Sequence, residues 1–213
     1  MSRGHPVSAF PRHGLSVPSC DTIKSSTIGS SLMNDETGVI RTVAALMVLA
    51  ARTAPKARGV DEIETKIITG HEIHQLATEM ERIGERDSIP FFIRDGRGVG
   101  QSDACVLIGI RGEVTVGVNC EGCGFPSCRD FSEACTGRTC TDAPFRGPNC
   151  IIRITDLGIA VGSAVKTAQA HNADNRIMYS AGVAARSLGW LQRCSVVYGI
   201  PLKASGKNIF FDR

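Results

Sequence analysis

The stretch Ala104-Cys105-Val106-Leu107-Ile108-Gly109-Ile110 decides how the rest of the chain is read. It is a short, near-continuous apolar run, the pattern of a strand covered on both faces rather than on one. A turn at Arg111-Gly112 lets a second strand follow over Val114 to Val118. Upstream, Ile63 to Ile68 reads as another short strand. Thr69 and Glu72 form a capping box ahead of a helix bearing Ile73, Leu76, Met80 and Ile83, closed by Gly84. Earlier still, Val39, Val43, Leu46, Met47 and Ala50 recur at helical spacing from Glu36 until Pro55 ends the run, predicting a buried helix. Downstream, Thr155 or Asp156 caps a helix to about His171, Asp174 caps another to Leu188 stopped by Gly189, and Ser195 to Tyr198 gives a last strand. Strands alternating with helices predict an α/β fold.

The chain has 213 residues, enough for one domain with a real core, and its apolar fraction of 42% is ordinary. The net charge of +3 is spread without a basic block, which argues against a nucleic-acid partner. No stretch approaches the roughly 18 apolar residues that would span a bilayer, so no membrane partner is expected. Residues 1–32 hold eight serines and three prolines but one acid, Asp21, and no periodicity. They read as a disordered tail or a start-site artefact, since Met33 is followed by the helix-start signature Asn34-Asp35-Glu36. The α/β domain is then 33–213. Nine cysteines, odd in number and grouped, argue against a secreted disulfide framework. With no signal peptide visible, a cytoplasmic location is expected.

Cys120, Cys123 and Cys128 lie in Asn-Cys-Glu-Gly-Cys-Gly-Phe-Pro-Ser-Cys, three thiols on one loop. Structural zinc sites usually assemble from two separate cysteine pairs, whereas three clustered thiolates plus one remote thiolate is a common plan for a 4Fe-4S cluster. Gly122 and Gly124 permit the left-handed backbone that a loop wrapping a metal often needs. The fourth ligand comes from Cys150, which follows the turn Gly147-Pro148, or from Cys135 or Cys140. The cluster-binding segment is 119–150. Arg129, Arg138, Arg146 and Arg153 lie within or beside it, where positive charge close to a cluster would stabilise its reduced form.

The Cys-x-x-Cys-Gly-Phe-Pro-x-Cys core is similar to the one-cluster 4Fe-4S module of corrinoid iron-sulfur proteins and of the Rnf electron-transport B subunit, although the gap to Cys150 is longer than in those modules. More closely, the chain from Met33 onward resembles a bacterial and archaeal family of uncharacterised proteins described as containing a ferredoxin domain. That resemblance rests on Ala50-Ala-Arg-Thr-Ala-Pro-Lys-Ala-Arg-Gly59, Asp156-Leu-Gly-Ile-Ala-Val-Gly-Ser-Ala-Val165 and Ile200-Pro-Leu-Lys-Ala-Ser-Gly-Lys-Asn208. The same blocks are distantly similar to nitroreductase-type flavoproteins, which implies a nitroreductase-like α/β domain with an inserted cluster loop and raises FMN as a second cofactor.

The glycines at Gly96, Gly98 and Gly100 do not match the dinucleotide fingerprint and read as a flexible loop. Gly158 and Gly162, about one helical turn apart, predict close packing on another element. Ser205-Gly206-Lys207 reads as a turn, His71 and His74 as a solvated face, and Cys105 and Cys194 as small hydrophobes. The expected activity is one-electron transfer with an unknown redox partner protein. Two alternatives stay open: a zinc or cluster module that only braces the loop, and an FMN-dependent oxidoreductase fed by the cluster; a homo-oligomer is compatible with each reading.

Overall fold

The computed structural model describes residues 36–136 and 143–211. The expectations for residues 1–32, Arg138 and Cys140 lie outside them. In chain order the elements are α1 (Glu36–Thr53), β1 (Ile63–Ile68), α2 (His71–Arg86), α3 (Pro90–Gly100), β2 (Ala104–Ile110), α4 (Cys128–Thr136), α5 (Ile151–Ala170), β3 (Asp174–Asn175), α6 (Tyr179–Ser187) and β4 (Val196–Lys203). A single 3-10 turn, Ala57–Gly59, joins α1 to β1.

All seven residues of β2 are buried. The strand lies inside a four-stranded sheet of order β1-β2-β4-β3, in which every pairing is antiparallel. Because side chains alternate across a strand, β2 serves two cores at once. Ala104, Val106, Ile108 and Ile110 pack with Met47 of α1 and Leu157 and Ala160 of α5. Cys105 and Leu107 turn the other way, toward Leu76 and Met80 of α2, Phe92 and Val99 of α3 and Ala181 of α6. The fold is thus mixed α/β with helices on both faces. Fully burying each large aliphatic side chain of this strand is worth about 1.5–3 kcal/mol, which is why an uninterrupted apolar run is needed here. Cys105 and Cys194 sit in the second core as small hydrophobes, and burial pushes both thiols up to about 12.

Several local readings are corrected. Val39 and Leu46 are exposed, because the side of α1 that meets the sheet carries Ile40, Val43, Ala44, Met47 and Ala51 instead. The Thr69–Glu72 capping box does not form: Gly70 is the N-cap without a side-chain bond, and the helix runs through Gly84 to Arg86. The glycines at 96, 98 and 100 are helical within α3, which Pro90 opens at its first turn. A Cβ at Gly96 would lie 3.0 Å from the Ala77 carbonyl oxygen of α2, so this residue allows helix contact rather than a loop. Val114 to Val118 form no strand, since Gly117 has φ +77° and Asn119 has φ +48°, which turn the chain out of any ladder.

Helix α5 begins at Ile151 with Cys150 as its N-cap, five residues before Asp156, whose carboxylate is used elsewhere. Asp174 belongs to β3, paired opposite Lys203 of β4, and α6 starts only at Tyr179. Gly158 and Gly162 have open space where a Cβ would stand, so close packing does not explain them. His71 and His74 are exposed, and the Ser205 hydroxyl donates to the Lys207 carbonyl to close the expected turn.

Candidate metal centre

After β2 the chain leaves the sheet, wraps through residues 111–127, forms α4, and returns to begin α5. Three of its residues besides glycine 117 take left-handed or near-left-handed backbone: Asn119 (φ +48°), Glu121 (φ +58°) and Gly124 (φ +84°). Asparagine tolerates this region better than most residues, and glycine at no cost. Gly122, predicted to be left-handed, is not; its reason is space, since a Cβ there would stand 2.7 Å from Cγ2 of Ile151.

The wrapping brings Cys120, Cys123, Cys128 and Cys150 to the wall of one small pocket, of about 10 Å³. Val116, Val118, Phe125, Phe131 and Ile152 line the rest of it together with Thr115, Glu121 and Ser127. The thiols are graded in depth: Cys150 is buried, Cys123 and Cys128 are partly buried, and Cys120 is exposed at the rim. Phe125 and Phe131 meet edge to face at 5.6 Å and, with Val116 and Cys150, make a third small apolar core beneath the loop. Among the described residues no three Cys, His, Asp or Glu side chains form a group fit to grip a single metal ion. The four thiols share the wall of one pocket instead.

Cys128 is the N-terminal residue of α4, and Asn119 is bound to it twice. The Asn119 side-chain oxygen accepts the Cys128 backbone N–H at 2.8 Å, and the Asn119 backbone N–H points at the Cys128 sulfur at 3.4 Å. With further donation from the Gly117 and Val118 backbone and the Thr115 hydroxyl, this holds the Cys128 thiol below its ordinary value. Successive backbone N–H groups converging on one sulfur make an anion-binding concavity of the kind found at iron-sulfur sites. Asn119 was not singled out from the sequence, although an asparagine just before the first cysteine is a signal for left-handed backbone.

Cys150 comes from a different direction. Its backbone N–H donates to the Gly112 carbonyl at 2.7 Å, which ties the start of α5 to the turn that leaves β2. Ser195 reinforces that junction, its hydroxyl donating to Asn149 Oδ1 at 2.5 Å and accepting the Gly112 N–H at 2.9 Å. Cys135 lies on α4 and does not line the pocket, but packs against the same apolar core, its sulfur 4.0 Å from the Pro148 carbonyl.

One buried ion pair fixes the loop against α5. Arg153 and Asp156 are 2% and 3% exposed and meet at 3.1 Å. The guanidinium also donates to the carbonyls of Val60 at 3.0 Å and Val114 at 3.3 Å, while Asp156 Oδ1 accepts the Ala57 N–H at 2.9 Å. Arg58 adds a bond to the Val116 carbonyl at 3.2 Å. Arg153 is therefore a structural clamp. Arg129 is solvent-exposed and paired with Glu133, and Arg146 donates to the Gln192 and Cys194 carbonyls. None of these three arginines lines the pocket.

The donor set fits an iron-sulfur cluster by its chemistry. Four thiols line one largely apolar pocket, and backbone N–H groups are directed at one of the sulfurs, a donor set of the kind that holds iron-sulfur clusters.

Among the described residues no helix is long and apolar enough to cross a membrane. An uncharacterized protein of Archaeoglobus fulgidus is 45% identical over 177 residues, which cover 82% of this chain and 91% of that one. Among solved structures, the chain is similar to nitroreductase A from Vibrio parahaemolyticus, with 13% identity, 83% of this chain and 60% of that chain covered, and a TM-score of 0.46. It is also similar to a nitroreductase with bound FMN from Desulfitobacterium hafniense, with 14% identity, coverage of 82% and 79%, and a TM-score of 0.48. The family described as "uncharacterized protein containing a ferredoxin domain" matches residues 146–213, a stretch that includes Cys150 and starts after the Cys120–Cys128 loop. This chain belongs to that family of uncharacterized ferredoxin-domain proteins.

Proposed function

We propose that the protein binds a 4Fe-4S cluster through Cys120, Cys123, Cys128 and Cys150 and serves in one-electron transfer with a partner protein. The observation that carries this reading is the meeting of four thiols from two separate chain segments at one largely apolar pocket. The ferredoxin-domain family supports the iron-sulfur assignment. A cluster bound there supplies reversible one-electron chemistry.

The chain's own contribution is to tune and shield. The N–H groups of residues 117–119 stabilise negative charge on the Cys128 sulfur, which favours a more reduced site. Phe125, Phe131 and Val116 keep water from the inner side, and Cys120 leaves the outer rim open to an approaching protein. Cys135 is a packing residue in this scheme.

The test is anaerobic reconstitution with ferrous iron and sulfide, followed by iron and sulfide analysis and electron paramagnetic resonance of the reduced protein. Four irons per chain and a reducible cluster signal are expected. Cys150→Ser loses that signal, and Cys135→Ser keeps it. A protein that takes up neither iron nor sulfide, or only zinc, overturns the reading.

A further inference from the structure

The turn between α1 and β1 holds an arginine that the cluster reading does not use. Arg58 takes left-handed backbone, φ +56°, a conformation with a steric cost that glycine would avoid. The turn around it is braced. Ala57 donates its N–H to Asp156 Oδ1 at 2.9 Å, Lys56 closes the end of α1 by donating to the Ala51 carbonyl at 2.7 Å, and Arg153 holds the Val60 carbonyl at 3.0 Å. From this fixed base the Arg58 guanidinium crosses to the cysteine loop, 58 residues along the chain, and donates to the Val116 carbonyl at 3.2 Å.

That carbonyl belongs to the same planar peptide unit as the Gly117 N–H, and in a trans unit the two point in opposite directions. Whatever holds the oxygen therefore aims the hydrogen. The Gly117 N–H is one of the backbone donors to the Cys128 sulfur, beside the Asn119 N–H at 3.4 Å. Gly117 has φ +77°, and glycine populates both signs of φ about equally, so the backbone by itself leaves the Val116–Gly117 unit free to turn over. Turned over, it would present its oxygen, and not its hydrogen, to a sulfur that is negative as the thiolate. A Cβ at Gly117 would stand 3.7 Å from Arg58 Nη1, so the guanidinium lies against this same unit. A charged donor on the carbonyl also polarises the unit and strengthens the N–H at its other end.

We propose that Arg58 is a positioning residue of the cysteine centre: by gripping the Val116 carbonyl it fixes the Gly117 N–H on the Cys128 sulfur and so favours the reduced state of the site. The redox consequence rests on the cluster reading, whereas the grip is a property of the metal-free chain.

The experiment compares the parent full chain with Arg58→Met, Arg58→Lys and Arg58→Gly by two measurements. The first is the midpoint potential of the anaerobically reconstituted protein, read by electron paramagnetic resonance along a redox titration. Arg58→Met keeps the stem and loses the donor, so reduction becomes about fivefold to tenfold less favourable, the worth of about one hydrogen bond; at 59 mV per tenfold for one electron this is a fall of about 40–60 mV. Arg58→Lys keeps a charged donor and recovers part of the fall. Arg58→Gly takes the left-handed turn without steric cost, so it folds and shows the same fall as Arg58→Met, which separates the grip from the stability of the turn. The second measurement is amide hydrogen exchange of the metal-free protein by nuclear magnetic resonance. The Gly117 N–H exchanges faster in Arg58→Met than in the parent, while the Cys150 N–H, bonded to the Gly112 carbonyl, keeps its rate. Potentials in Arg58→Met and Arg58→Gly equal to the parent's, or an unchanged Gly117 rate, overturn the proposal. So does a Cys150 amide that quickens equally, because Arg58 is then only a brace for the whole loop. A parent that takes up no cluster overturns the cluster reading and the redox consequence with it, and the exchange rates still decide the grip.

Discussion

Replacing Arg153 by methionine tests whether the buried ion pair is what aligns the cysteine loop with α5. The side chain is 2% exposed and serves three acceptors: Asp156, and the carbonyls of Val60 and Val114. Methionine keeps much of the packing volume and removes every donor. Asp156, 3% exposed, is left with the Ala57 N–H and the more distant charge of Lys56. Breaking one side of a buried pair costs about 3–5 kcal/mol where the surviving charge is uncompensated, and the charge of Lys56 places Asp156 toward the lower end. Changing Asp156 to asparagine as well removes that charge and keeps an oxygen for Ala57. The double variant Arg153→Met, Asp156→Asn should therefore recover about 1–3 kcal/mol relative to Arg153→Met alone, the penalty of an unsatisfied buried group. Urea unfolding of the four proteins completes the cycle. Alkylation of Cys150 under native conditions gives the local readout, and it should be faster in Arg153→Met. A single variant within about 1 kcal/mol of the parent, or a double variant less stable than Arg153→Met, would refute the clamp, since either result lies outside the cost of an uncompensated buried charge.

In metal-free protein, alkylation of the thiols should separate by pH. The Cys128 thiol is held low by the Asn119 backbone N–H and its neighbours, so its reactive thiolate appears at lower pH than in an ordinary cysteine and grows as pH rises. Cys105 and Cys194, raised to about 12 by burial, stay protonated and unreactive until the fold opens; peptide mapping that finds either labelled before Cys128 contradicts this. Gly158→Ala and Gly162→Ala should each stabilise the chain by about 0.5–1 kcal/mol, because the added methyl meets open space and the helix interior gains by the exchange. Gly182→Ala should do the opposite by about 1–3 kcal/mol or more, since its methyl meets the Val197 carbonyl; thermal melts that rank the three alike would count against both statements.

What the sequence determined by itself is whatever local chemistry makes obligatory. The apolar run Ala104–Ile110 had one economical burial, between two helical layers, and it became the strand that feeds both cores. The Cys-x-x-Cys-x-x-x-x-Cys spacing needs no distant partner to gather three sulfurs on a turn, whereas the sequence left the later cysteine open among Cys150, Cys135 and Cys140. Helix ends were legible at His171 and Leu188, where the chain supplies its own stop.

Only the tertiary structure decided the rest, because the deciding partner lay far along the chain. Asp156 reads as a helix cap, yet its carboxylate serves the Ala57 N–H from 99 residues away, so α5 could start earlier, at Cys150. The glycines of α3 read as a loop until α2 is placed beside them, and Val114 to Val118 read as a strand until Arg58 and Arg153 draw their carbonyls away. Arg153 looks in sequence like one more cation near cysteines; burial against Asp156 makes it the clamp instead. Periodicity and spacing report what a residue does to its neighbours in the chain, whereas a buried charge takes its role from whichever distant group neutralises it.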